Sequence, residues 1–470
     1  MTGPLVTGER PETERTRPSR EQWRGLVAAV LARSGAPPGD PEQALTRTTL
    51  AGVDVHPLYT VQDVPYPLDV IGVPGRVPFV RGAGAGAERG WDVRQRHGGG
   101  GPALVNAAVR ADLANGVTSV WLEVAADDVG AALDGVALDR TPVVLDAGPR
   151  TLDSAEMLMD TPGGSAWHGN VGADPIGWSH RSGLPVDLSV AVDAFRLSSG
   201  HAGLKAIVVD GTVFHDAGAT DVDELAIVTS AGVAYLRALT GAGAATEDAL
   251  AALEFRLAVT DDQFGSIVKL RAARWLWHRV GELCGAPEPA RAQAQHAVTS
   301  APMMTRRDPY TNVVRTTVAG FAAAVGGAQA ITVAPFDQAL GRSDALARRI
   351  ARNTQAVLHD EVSLARVADP AGGSFYVESS TEQVARRAWD SFTALERAGG
   401  ALNISAVAEL VGASRERRDA LIASGRFPIT GVNRFADPDE EPLRRDPVAT
   451  TPGGGLPRIR YAVADEAGWA

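Results

Sequence analysis

The chain has 470 residues, 45 of them Lys or Arg against 56 Asp or Glu, so its formal charge is −11. An apolar fraction of 45% excludes a disordered chain, the acidity argues against a nucleic-acid or anionic-membrane surface, and no run approaches the ~20 apolar residues of a membrane span. One cysteine, Cys284, excludes an internal disulfide and any multi-cysteine metal site, and the polar start with Glu9, Glu12 and Glu14 reads as neither signal nor transit peptide, so a cytoplasmic protein is expected.

Residues 1–18 read as a flexible N-terminal arm. Ser19 and Gln22 have capping-box spacing and precede an apolar stripe of Trp23, Leu26, Val27, Val30 and Leu31, which predicts a helix. Prolines and glycines punctuate residues 50–90, so 19–100 is assigned as a helix followed by an extended loop segment. From 101 to 435 strand and helix patterns alternate. Val117–Val124, Pro142–Leu145, Ala206–Val209, His296–Ser300 and Ala330–Val333 read as strands. Leu104–Asn115, Asp221–Leu239, Asp261–Cys284 and the stretches near 309–325, 343–360 and 380–397 read as helices. Such alternation implies parallel strands but does not separate a closed barrel from an open doubly wound sheet. Residues 436–470 change character: Asp437-Pro-Asp-Glu-Glu-Pro442 is acidic, and Thr450-Thr-Pro-Gly-Gly-Gly-Leu-Pro457 has a linker composition.

Short motifs carry little chemistry. Asp54-Val-His56 opens like a cobalt-binding histidine loop, but Tyr59 stands where the turn needs glycine. Gly98-Gly-Gly-Gly101 lacks the Lys-Ser/Thr of a phosphate loop and reads as a flexible turn. His215-Asp216 follows a strand end, where barrel chemistry sits, yet adjacent residues do not face each other. Cys284 falls on an apolar helical face and is read as inert core.

Longer stretches are more specific. Tyr310-Thr-Asn-Val-Val-Arg-Thr-Thr-Val318, Gly326-Gly-Ala-Gln329, Ala351-Arg-Asn-Thr-Gln355 and Asp369-Pro-Ala-Gly-Gly-Ser-Phe-Tyr-Val-Glu378 occur in one order. Pro57-Leu-Tyr-Thr60, Pro78-Phe-Val-Arg-Gly82, Gly90-Trp-Asp-Val-Arg-Gln95 and Lys269-Leu-Arg-Ala-Ala-Arg274 precede them. Together, from about residue 50 to 435, they resemble the methylmalonyl-CoA mutase family. The resemblance implies an α/β fold, a (β/α)8 TIM barrel holding acyl-CoA along its axis. In catalytic members a cobalamin domain or subunit covers the barrel mouth, and adenosylcobalamin starts a radical 1,2-shift between methylmalonyl-CoA and succinyl-CoA.

The departures from the family pattern set the expected role. Arg96 stands where catalytic members carry the tyrosine that lies over the substrate. Aligned on Ala217-Gly-Ala219, the histidine that contacts the thioester carbonyl falls on Val213; His215 is two places late, ~6–7 Å along an extended chain. Gly172 falls where a glutamine is usual, whereas His296 and Gln329 are retained pocket candidates. No residue is assigned as catalytic, cofactor-binding or metal-binding. The combination resembles the small (β) subunit of the heterodimeric bacterial enzyme of propionate metabolism, with the C-terminal cobalamin-binding domain absent. The expectation is a chain inactive alone, with weak or absent CoA-ester binding. Adenosylcobalamin would be carried by a catalytic large subunit, its partner. The alternatives are an active barrel served by a separate cobalamin-binding chain, and a barrel repurposed to bind CoA esters for regulation.

Overall fold

The computed structural model describes residues 19–64, 66, 68–84, 90–201, 203–448 and 453–467; the arm assigned to 1–18 lies outside them. The chain divides into two units, residues 1–60 and 61–470. In the first, Ser19 caps the helix Arg20–Arg33, and the reciprocal Ser19–Gln22 bonds of the capping box are both present. No residue of this helix is buried. A short ribbon pairs Arg47–Thr48 with Asp54–Val55 in antiparallel fashion.

The second unit is a closed barrel of eight parallel strands. In chain order they are β1 (Asp92–Gly98), β2 (Ser119–Glu123), β3 (Val143–Leu145), β4 (Gly169–Ala173), β5 (Leu204–Asp210), β6 (Leu253–Val259), β7 (Gln295–Thr299) and β8 (Ala330–Thr332). Pairing of Ala330 with Asp92 closes the ring. This settles the choice between barrel and open sheet in favour of the (β/α)8 fold. The long outer helices Asp221–Gly241, Gln263–Leu283 and Phe375–Arg397 start at the capping residues Thr220, Asp262 and Ser374, whose side chains accept the free amides of the first turn. Among the described residues no helix is long and apolar enough to cross a membrane.

Sequence patterning finds five of these eight strands and misses β1, β4 and β6. The first barrel strand begins at Asp92, inside the stretch assigned to the extended loop. β1 and β6 carry Arg94, Arg96, Glu254 and Arg256 at alternate positions, and β4 carries Gly169 and Gly172, so none reads as an apolar strand. A further helix, Ile404–Ala423, follows the last barrel helix and carries no apolar stripe that patterning detects.

Four of the motifs that carry the family resemblance, Pro78–Gly82, Lys269–Arg274, Gly326–Gln329 and Asp369–Glu378, meet in one hydrogen-bond network. Arg271 forms paired bonds to Glu378 (2.7 and 2.8 Å) and also reaches Asp369, whose other oxygen accepts from Arg81 at 2.7 Å. Arg274 donates to the carbonyls of Phe79, Val80 and Gly326 and to the Gln295 side chain. These residues clamp the Pro78–Gly82 turn to two helices. They tie the outer helices to the segment that precedes β1.

Candidate functional site

In a parallel barrel the loops after the strands build the site, and the inward positions usually hold Val, Ile and Leu. Here the axis is charged. Arg94 donates to Glu254 at 2.6 Å and to the Ser119 hydroxyl at 2.9 Å. Above this layer Arg256, only 2% exposed, pairs with Asp210 at 2.9 Å and with Asp146 at 3.4 Å. Its guanidinium lies 3.9 Å from the ring centre of Trp121, whose indole N–H donates to Asp146 at 3.1 Å. Burial alone would raise Asp210; the guanidiniums of Arg256 and Arg181 and the bonds from Thr212 outweigh it and hold its pKa below the ordinary carboxylate value. The void among Asp146, Gly172, Asp174, Arg181, Asp210 and Arg256 measures about 20 Å³, room for one water.

His296, from β7, is fully buried in the same plug. Its Nε2 lies 2.8 Å from the Thr332 hydroxyl, and Arg256 approaches its Nδ1 at 3.4 Å. Burial, then the adjacent Arg94 and Arg256, push its pKa well below the ordinary value, so the ring is neutral. Asp174, after β4, goes the other way: burial and the Asp210 charge raise it to about 7, partly offset by hydrogen bonds from Tyr235 and the Gly177 amide. Tyr235 donates to it at 2.6 Å.

The positions singled out in the sequence separate. Arg96 is at the mouth, held by two bonds to Glu123 at 2.9 and 2.5 Å, with its guanidinium 4.8 Å from the Trp121 ring centre. Gly172 has φ +77°, and a Cβ there would lie 1.8 Å from the Leu145 carbonyl oxygen, so the β4 backbone admits no glutamine at this point. Val213 is buried in the short helix after β5 and offers no polar atom. Gln329 stands at the opposite end of the barrel, just before β8, where its side chain accepts from the Gln295 amide at 2.8 Å.

His215 does not reach the axis. It bonds the Ser300 hydroxyl at 2.7 Å and faces Glu224 at 3.5 Å. His215, Asp221 and Glu224 bring three metal-type ligands within 4.8 Å of one another. The buried ammonium of Lys269 sits on both carboxylates, 2.5 Å from Glu224 and 3.0 Å from Asp221, and supplies the positive charge itself. Cys284, read as core, is exposed at the end of its helix, because the apolar stripe has run out one turn earlier.

Sequence reasoning missed Trp121, Asp146, Asp174, Asp210 and Arg256. The available signal was the alternation in Leu253-Glu-Phe-Arg-Leu257, which puts two charges on the face opposite the apolar one.

For adenosylcobalamin, which the resemblance implies for catalytic members, the candidate cobalt ligands in this chain are histidines. His215 and His296 are buried and engaged, His215 with the Ser300 hydroxyl and His296 with that of Thr332. His56 belongs to the first unit and is tied to the Thr46 hydroxyl at 3.1 Å.

The fold defines a (β/α)8 barrel with a charged axis, and comparison with known proteins makes the class specific. The family model for methylmalonyl-CoA mutase matches residues 48–132 and 123–452, and the chain belongs to that family. It is 46% identical over 95% of its length to a methylmalonyl-CoA mutase small subunit from Streptomyces virginiae, covering 75% of that protein. It is 38% identical to the methylmalonyl-CoA mutase small subunit of Propionibacterium freudenreichii subsp. shermanii, over 89% of this chain and 68% of that one. With the methylmalonyl-CoA mutase of Escherichia coli it shares 30% identity over 88% of this chain and 64% of that one.

Proposed function

We propose that this chain is the small subunit of an adenosylcobalamin-dependent methylmalonyl-CoA mutase, and that it supports a large catalytic chain without turning over substrate itself. The observation that carries the reading is the plug: Arg256, Asp210, Asp146 and Trp121 fill the axis along which an acyl-CoA would have to lie. Catalysis requires interactions formed in the transition state. In this barrel Val213 supplies no hydrogen bond to a thioester carbonyl, Gly172 cannot take a side chain, and Arg96 is committed to Glu123. Losing one donor to a developing oxyanion typically costs ~3–4 kcal/mol in the barrier.

The cofactor would reside in the large chain, where it would supply the radical that starts the rearrangement. This chain's residues contribute a rigid, neutralised barrel. The resemblance to chains named small subunits supports a one-to-one complex, and an obligate interface of that kind buries roughly 2,000–5,000 Å². An active barrel served by a separate cobalamin chain would need the axis open, and the same plug speaks against it. Sedimentation of the purified chain with a large mutase chain tests the pairing: a one-to-one species supports it, and two independent boundaries at micromolar concentration overturn it.

A further inference from the structure

The run Thr450-Thr-Pro-Gly-Gly-Gly-Leu-Pro457 has the composition of a flexible linker, yet its described part, from Gly453 onward, is fitted against the barrel. The Gly454 amide donates to the Ser182 carbonyl at 2.9 Å and the Leu456 amide to the His180 carbonyl at 2.7 Å. A Cβ on Gly455 would lie 2.0 Å from the His180 oxygen, and one on Gly453 2.1 Å from the Arg181 oxygen. Both obstacles are backbone atoms and cannot swing aside. The glycines are therefore required by close approach.

The contact continues. The Ile459 amide donates to the Asp216 carbonyl at 2.8 Å, and the Tyr461 amide to the Pro302 carbonyl at 2.9 Å. The Tyr461 ring packs against Phe427 and lies 4.8 Å from the Arg418 guanidinium. Ala462 is buried with Ile429 and Val432. Glu466 closes the segment: it accepts from the Arg306 and Arg307 amides at 2.5 and 3.2 Å and pairs with Arg460. Residues 180–183, 216 and 302–307 lie in the segments that follow β4, β5 and β7, at the C-terminal ends of the strands. The segment thus crosses the mouth above the charged plug.

We propose that residues 453–467 form a latch that is fastened over the barrel mouth and holds it shut. The proposal concerns this chain alone and stands or falls independently of its pairing with a large subunit.

Two measurements on the full chain test it. In hydrogen exchange, the amides of Gly454, Leu456, Ile459 and Tyr461 should exchange at least a hundredfold more slowly than unstructured peptide. In limited trypsin digestion read by mass spectrometry, cleavage after Arg458 and Arg460 should be slow in the native chain. It should be at least tenfold faster in Gly455→Val, which obstructs the seat, and in Glu466→Ala, which frees the far end without touching the glycines. Circular dichroism should show the barrel of both variants intact. Rapid exchange at the four amides, or equal cleavage in the native chain and Glu466→Ala, overturns the latch.

Discussion

Arg256 and Asp210 stand opposite each other in register on β6 and β5, 2.9 Å apart, and their ion pair blocks the barrel axis at its C-terminal end. A buried pair of this kind adds little net stability, but breaking it leaves an uncompensated charge. Arg256→Met should therefore destabilise the fold by about 3–5 kcal/mol. The double variant Arg256→Met/Asp210→Leu should recover more than half of that loss, because it removes both charges at once. Denaturant unfolding of the two single variants and the double variant gives the coupling directly; additive losses would show that the two side chains do not interact.

Asp174 makes stability depend on pH. Its folded-state pKa, about 7, lies above the ordinary 3.8, so the fold favours the protonated acid. That contribution is whole at pH values below the unfolded pKa and is lost as pH rises through about 7. Asp174→Asn keeps a neutral side chain at every pH. It should raise the unfolding midpoint at about pH 8, by roughly 1–3 kcal/mol in stability, and change little at about pH 4. A gain of equal size at both pH values would contradict the assignment.

Gly172 is expected to tolerate no side chain. Gly172→Ala should cost about 2–4 kcal/mol, since both the left-handed backbone and the Leu145 carbonyl oppose a Cβ. Gly172→Gln, which restores the side chain common in catalytic members, should lower the thermal midpoint further. Midpoints within a degree of the native chain would show that β4 can remodel.

The legible part of the fold was what apolar periodicity encodes. Val143-Val-Leu145 and Ala206-Ile-Val-Val209 read as strands because every inward and outward position is apolar. β6 was hidden for the reason that makes it important: Glu254 and Arg256 find their partners on β1, on β5 and just after β3, which no local pattern reveals. The candidate site was legible only as departures from a family pattern at Arg96, Gly172 and Val213. That Gly172 is a backbone requirement, and that Gln329 sits at the far end of the barrel, are three-dimensional facts. The glycine run near 453–455 misled for a related reason, since composition does not distinguish flexibility from close approach.

The first unit provides a separate test of assembly. Its helix Arg20–Arg33 buries no residue, and Leu26 and Val30 are 70% and 55% exposed. If this helix meets the large chain, deleting residues 1–35 should weaken association at least tenfold while the thermal midpoint of the remaining chain changes little. Unchanged association in a sedimentation titration would place the interface elsewhere.

The central claim is that this barrel supports catalysis without performing it. The direct measurement is conversion of methylmalonyl-CoA to succinyl-CoA, with adenosylcobalamin present, by the purified chain alone and again after adding a large mutase chain. The account predicts no conversion above background by this chain alone, and full activity only in the mixture, co-sedimenting as one species. Conversion by the chain alone, with cofactor and substrate but no second polypeptide, would contradict it.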